Sequence, residues 1–160
     1  MMDDLAQWFH RARRIVIVGV GNPIRRDDNI GVEIVGRLEG KVPESVLLIK
    51  SETIPEESLG PIIDFKPTHI LIIDAALLNL SPGSAKLVVS IESSGTAIST
   101  HFLPLQLFCE YLAKMTGAKI AMLLIQPRDT SFGEGLTPEL GSARDELVEY
   151  LIRMTESAVN

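Results

Sequence analysis

The chain has 160 residues, 46% of them hydrophobic, and a formal net charge of −6. That length and apolar content suit one folded domain over residues 1–160 and exclude a disordered chain. The acidic balance argues against a protein that grips nucleic acid through its phosphates, which needs clustered Lys and Arg. Arg11-Ala12-Arg13-Arg14 and Arg25-Arg26 read as solvated charge at helix ends and loops. The single cysteine, Cys109, forbids an intrachain disulfide and points to a reducing, cytoplasmic setting. The opening MMDDLAQWFH lacks the apolar core of a signal peptide, and no apolar run approaches the ~20 residues of a membrane span.

Leu5, Trp8, Phe9 and Ala12 recur at helical spacing and predict a short amphipathic helix over 3–13. Residues 15–20, IVIVGV, read as a strand buried on both faces. Ile30, Val32, Ile34, Val35 and Leu38 predict a helix from about 28 to 39. VLLIK at 46–50 is the second strand. Pro55 opens a helix through Phe65, since a proline at the first turn forfeits no hydrogen bond. HILIID at 69–74 is the third strand. After the turn signal Ser81-Pro82-Gly83, residues 85–91 are strand-like and 92–100 read as a polar loop. A helix over 104–115, a strand over 119–125 and a Gly-containing loop over 126–136 follow. Thr137 is then the expected N-cap of a last helix, with Pro138 at its first position and an end near Met154. Strands and helices alternating at these lengths predict an α/β fold with a largely parallel sheet covered on both faces.

Polar chemistry gathers where the predicted strands end. Asp27-Asp28 follows Gly19-Val20-Gly21-Asn22 after the first strand, Asp74 closes the third, and His101 follows Ser99-Thr100 before a helix. In an open parallel sheet ligands bind at the carboxyl edge of the strands. Two carboxylates and an imidazole there would form an N/O metal site with open positions. Of the two neighbouring aspartates, one can cap the helix while the other faces the crevice. The glycines do not make a dinucleotide fingerprint, because Ile24 stands where the third small residue belongs and Lys50 where the ribose-binding acid belongs. They serve instead as a sharp turn that lets backbone approach the crevice. His10 sits on a surface helix, His69 begins a strand at the opposite edge, and Cys109 lies with Leu105, Phe108, Leu112 and Met115 on one helix face as a buried, inert thiol. No nucleophile elbow is present, and Ser99 near His101 is too little for a Ser/His pair.

Gly19-Val20-Gly21-Asn22 with Asp27-Asp28-Asn29-Ile30-Gly31-Val32 resembles the opening of the nickel–iron hydrogenase maturation endopeptidases. Ile72-Ile73-Asp74-Ala75, Pro82-Gly83, Ser99-Thr100-His101 with Leu103-Pro104-Leu105, Gln126-Pro127 and Gly135-Leu136-Thr137-Pro138 extend the resemblance over nearly the whole chain. The branch it is most similar to matures formate-hydrogenlyase-type hydrogenases. The resemblance implies a three-layer α/β/α sandwich around a five-stranded, mostly parallel mixed sheet. It implies a peptidase, aspartic-type or nickel-dependent, that removes the C-terminal extension of a hydrogenase large-subunit precursor after nickel insertion. It places Asp28, Asp74 and His101 on the nickel, which the precursor supplies. One departure stands out: Lys50-Ser51-Glu52-Thr53 replaces the Asp-Gly-Gly or Asp-Gly-Thr common in relatives, which bears on substrate preference. Two competing readings are a non-catalytic nickel-binding assembly protein and a peptidyl-tRNA hydrolase-like enzyme. Gly21-Asn22-Pro23 and Asn29-Ile30-Gly31 resemble the latter, but Asp28 stands where its histidine belongs. No nucleic-acid or membrane partner is expected; the sequence leaves the oligomeric state open, and a monomer is compatible with it.

Overall fold

The computed structural model describes residues 1–52, 56–89, 98–99 and 102–159. Its elements are α1 (Met2–Trp8), β1 (Ile15–Val20), a 3-10 turn (Arg26–Asn29), α2 (Ile30–Leu38), β2 (Val46–Ser51), α3 (Glu56–Phe65), β3 (His69–Leu77), β4 (Ala85–Val88), β5 (Ile98–Ser99), α4 (Phe102–Thr116), β6 (Lys119–Ile125) and α5 (Pro138–Val159). The main sheet has the order β2-β1-β3-β6-β4. Its first four strands run parallel and β4 pairs antiparallel with β6, so the expected five-stranded mixed α/β sheet is present. The two-residue β5 adds an antiparallel pairing at the end of β3.

Side-chain alternation along the strands builds the three layers. Ile15 and Ile17 of β1, Leu71 and Ile73 of β3, and Leu123 and Ile125 of β6 face one side, where α1, α2 and α5 pack on them. Val16, Val18, Ile70, Ile72, Met122 and Leu124 face the other, under Ile62 of α3 and Leu105, Phe108 and Leu112 of α4. Being central, β3 is buried on both faces through Ala76, which is why residues 70–73 are a continuous apolar run and why the buried Asp74 that follows stands out.

Several element ends differ from expectation, and for β3 the cause is pairing with distant strands. The first helix stops at Trp8 rather than 13, and Arg11 takes a left-handed φ of 65°. The helix expected from 28 begins at Ile30, after a 3-10 turn closed by Asp28 N–H donating to Arg25 O (2.9 Å). β3 does not end at Asp74: pairing with β6 carries it to Ala75, and β5 to Leu77. β4 ends at Val88, before 91, and Ile98–Ser99 is strand where loop was expected. α4 starts two residues early, at Phe102, and α5 runs past 154 to Val159.

Candidate functional site

β1 pairs with β3 only as far as Gly19 opposite Ile73, whereas β6 stays paired to β3 through Ala75. Asp74 is thus the first β3 residue beyond its pairing with β1. It is fully buried, and one carboxylate oxygen, Oδ1, accepts the Ala75 N–H at 2.9 Å. By alternation it shares its face with Ile70 and Ile72, the face covered by α3 and α4.

The chain that leaves β1 returns against β3 through glycines. A Cβ on Gly31 would collide with the Ile73 carbonyl oxygen, and one on Gly19 with the Gly31 carbonyl oxygen. Neither residue has a positive φ, so close approach rather than a sharp turn explains both. This contact packs the 3-10 turn and the start of α2 on β3 directly before Asp74.

Within that turn the two aspartates divide the work, though not as expected. Neither turn nor helix receives a side-chain cap from them. Asp27, fully buried, reaches across to the 126–137 loop. Its Oδ2 accepts the N–H groups of Arg128 and Asp129 (both 2.9 Å) and the Thr137 hydroxyl (2.7 Å), and its Oδ1 accepts the Thr137 N–H (2.8 Å). The Thr137 carbonyl accepts the Gly141 N–H, as an N-cap does, but its hydroxyl is given to Asp27. Asp28 is 5% exposed, and its Oδ1 has no hydrogen-bond partner among the described residues. A buried carboxyl oxygen left without a donor costs free energy, on the order of 1–3 kcal/mol, and calls for an explanation. Trp8 Nε1, Asn29 Oδ1 and His69 Nε2 share the condition among the described residues.

The 126–137 loop is a fixed wall rather than a loose connection. Arg26 N–H donates to Gly133 O (3.1 Å), Gly133 N–H to Ile24 O (3.0 Å), and Arg25 Nε to Thr130 O (3.1 Å). Arg25 and Arg26 are therefore tied into structure and not merely solvated. At the tip Phe132 is 75% exposed with the Arg25 guanidinium 5.6 Å from its ring centroid, and Ile24 is exposed beside it. The Ser131 hydroxyl and N–H, both bonded to Asp129 Oδ1, hold that carboxyl below its usual range. Sequence reading missed this wall; the Asp27-Asp28 pair was its one visible signal.

Of the three expected site residues, the structure sets Asp28's turn against Asp74's strand; His101 lies outside the described residues. Among the described residues no group of three His, Cys, Asp or Glu side chains is arranged to hold a metal ion. Lys50 forms a surface ion pair with Glu39 at the end of α2, and Glu52 is exposed. His10 is exposed. His69 is buried at the opposite end of the sheet, as expected, with Nδ1 2.9 Å from Thr68 Oγ1 and its ring edge-on to Trp8. Burial, then the nearby Lys119 charge, lowers its pKa. Burial, with Glu110 adding to it, pushes the Cys109 thiol up to about 12, which keeps it inert.

These features define a three-layer α/β/α protein with buried aspartates set at the carboxyl edge of its central strands. Residues 32–154 match the model of the hydrogenase maturation protease family (HycI). A Methanocaldococcus jannaschii protein assigned as a hydrogenase maturation protease is 34% identical, over 98% of this chain and 96% of its own. The hydrogenase 3 maturation protease of Escherichia coli K12 is 25% identical, over 85% of this chain and 87% of its own. The crystal structure of the [NiFe] hydrogenase maturation protease HycI from Thermococcus kodakarensis superposes with a TM-score of 0.86 at 32% identity, covering 96% of this chain and 99% of that one. The chain belongs to the hydrogenase maturation protease family, a family of peptidases. No helix among the described residues is long and apolar enough to cross a membrane.

Proposed function

We propose that this chain is a cytoplasmic endopeptidase that removes the C-terminal extension of a nickel–iron hydrogenase large-subunit precursor once nickel is in place. Family membership supports the reaction class. The observation that carries the site assignment is the buried Asp28 oxygen that no donor among the described residues fills, in a turn packed beside Asp74. A carboxyl oxygen held ready at low solvent exposure suits a divalent ion arriving on another protein.

In this reading nickel is part of the substrate. Asp28, Asp74 and His101 contact the ion that the precursor carries on its own ligands, so the ion serves as a template that sets the scissile bond against the enzyme. Lewis-acid help to the peptide carbonyl or to the attacking water is a second role open to the same ion. A precursor without nickel lacks the bridging contact and is passed over.

Incubating the purified chain with nickel-loaded and nickel-free precursor, followed by mass measurement, tests this. Loss of the C-terminal peptide from the loaded form alone is the expected result. Equal cleavage of both forms would falsify the nickel-recognition scheme, and binding without a mass change would leave a non-catalytic assembly role.

A further inference from the structure

We propose that Asp27, which precedes the candidate nickel contact, is a positioning residue that aims Asp28. The proposal rests on the peptidase reading above. Asp28 Oδ1 finds no donor among the described residues, so that oxygen contributes nothing to holding its own side chain. With no hydrogen bond at that oxygen, the place of the side chain depends on the packing around it and on the backbone that carries it. That backbone is fixed from both sides of Asp27. The Asp27 N–H donates to Asp129 O (3.1 Å), while its carboxylate accepts the Arg128, Asp129 and Thr137 N–H groups and the Thr137 hydroxyl. Asp28 N–H is held in turn by Arg25 O. Asp27 itself is thus pinned, through its N–H and its side chain, to a loop about a hundred residues away in sequence and to the first residue before α5. The peptide plane joining it to Asp28 is held locally, its N–H by Arg25 O and its carbonyl by the Ile30 N–H.

The donor set explains why the residue is aspartate. All four partners are N–H or O–H donors, and the residue is fully buried, so a side chain with two accepting oxygens is required. Asparagine has the shape but turns one NH2 toward an N–H, whichever way it is flipped. Thr137→Val removes a single O–H and leaves the charge of Asp27 untouched; Thr137→Ser keeps the O–H.

The test compares Asp27→Asn, Thr137→Val and Thr137→Ser with the unmodified chain, on nickel-loaded precursor, at a temperature where circular dichroism shows each protein folded. Positioning predicts that Asp27→Asn lowers kcat about tenfold or more with KM within about twofold, because small misplacement of a reacting group costs rate rather than binding. Thr137→Val should fall in the same direction and Thr137→Ser should recover. A residue that merely supports the fold would lower the melting temperature and leave kcat of the folded protein unchanged, and that result overturns the proposal. So does a loss confined to KM, which would assign Asp27 to docking. Should the unmodified chain leave the precursor uncut, the peptidase reading has failed instead. Positioning is then read from the Asp28 carboxyl carbon in NMR spectra, which must shift in Thr137→Val and return in Thr137→Ser; an unmoved signal in both overturns it.

Discussion

The two ends of the sheet carry different polar groups at or near the core. At the amino end of β3, the Thr68 hydroxyl donates to Arg14 O (3.1 Å) and accepts the N–H groups of Arg13 and Arg14, and His69 lies against it and against Trp8. Burial costs an imidazole little, because it sheds its charge near neutral pH. At the carboxyl end the buried groups are carboxylates, which can become neutral only by binding a proton. One of them, Asp27, receives four donors, and its neighbour Asp28 keeps an oxygen with none among the described residues. Both ends keep buried polar atoms with no partner among the described residues, Trp8 Nε1 and His69 Nε2 at the first and Asp28 Oδ1 at the second. What differs is that the unmet atoms are ring nitrogens at one end and a carboxyl oxygen at the other, and a carboxyl oxygen without a donor is the costlier to bury.

Substitutions can break or sharpen that contrast. The largest effect should come from Asp28→Ala, Asp74→Ala or His101→Ala, each expected to abolish precursor processing while the chain stays folded. For Asp28→Ala the melting temperature should hold or rise, because an unpaired buried oxygen is removed. A large drop in melting temperature for that variant would erase the distinction between the two ends. Next, Gly31→Ala forces a methyl into the Ile73 carbonyl and should cost about 1–3 kcal/mol by denaturant titration, with processing reduced too. At the other end, Thr68→Val leaves the N–H groups of Arg13 and Arg14 short of an acceptor. Because water can reach these groups, a loss of about 0.5–1 kcal/mol is expected, with processing by the folded protein unchanged.

The smallest effect concerns pH. The folded state lowers the pKa of His69, so between that value and the unfolded value of about 6.5 the unfolded chain binds a proton that the folded chain does not. Stability therefore rises with pH through this window and is lost as pH falls below about 6.5. Melting curves between pH 7.5 and about 5 should show that slope, and His69→Gln should flatten it. An unchanged slope would assign the acid sensitivity to other groups.

Much of the fold was legible because buried parallel strands announce themselves as apolar runs: β1, β2 and β6 fall where their residues predict, and β6 matches the expected 119–125. What escaped were features made by distant pairing. The extension of β3 beyond Asp74 depends on β6 and β5, and the 3-10 turn at Arg26–Asn29 depends on the 126–137 loop. Of the paired aspartates, spacing alone left open which would face the crevice. Partners about a hundred residues away settle what Asp27 does, and no local pattern could have shown it. The Gly19–Gly31 contact was legible only in part, since a small residue signals closeness without saying to what.

The cross-tied wall formed by residues 24–27 and 128–137 bears on timing. A doorway whose jamb is bolted at several points does not swing, so these residues offer no moving part to serve as a clock. Under the proposed function, any delay until the metal is seated would then belong to the incoming tail: how far it can stretch, and when its own fold releases it.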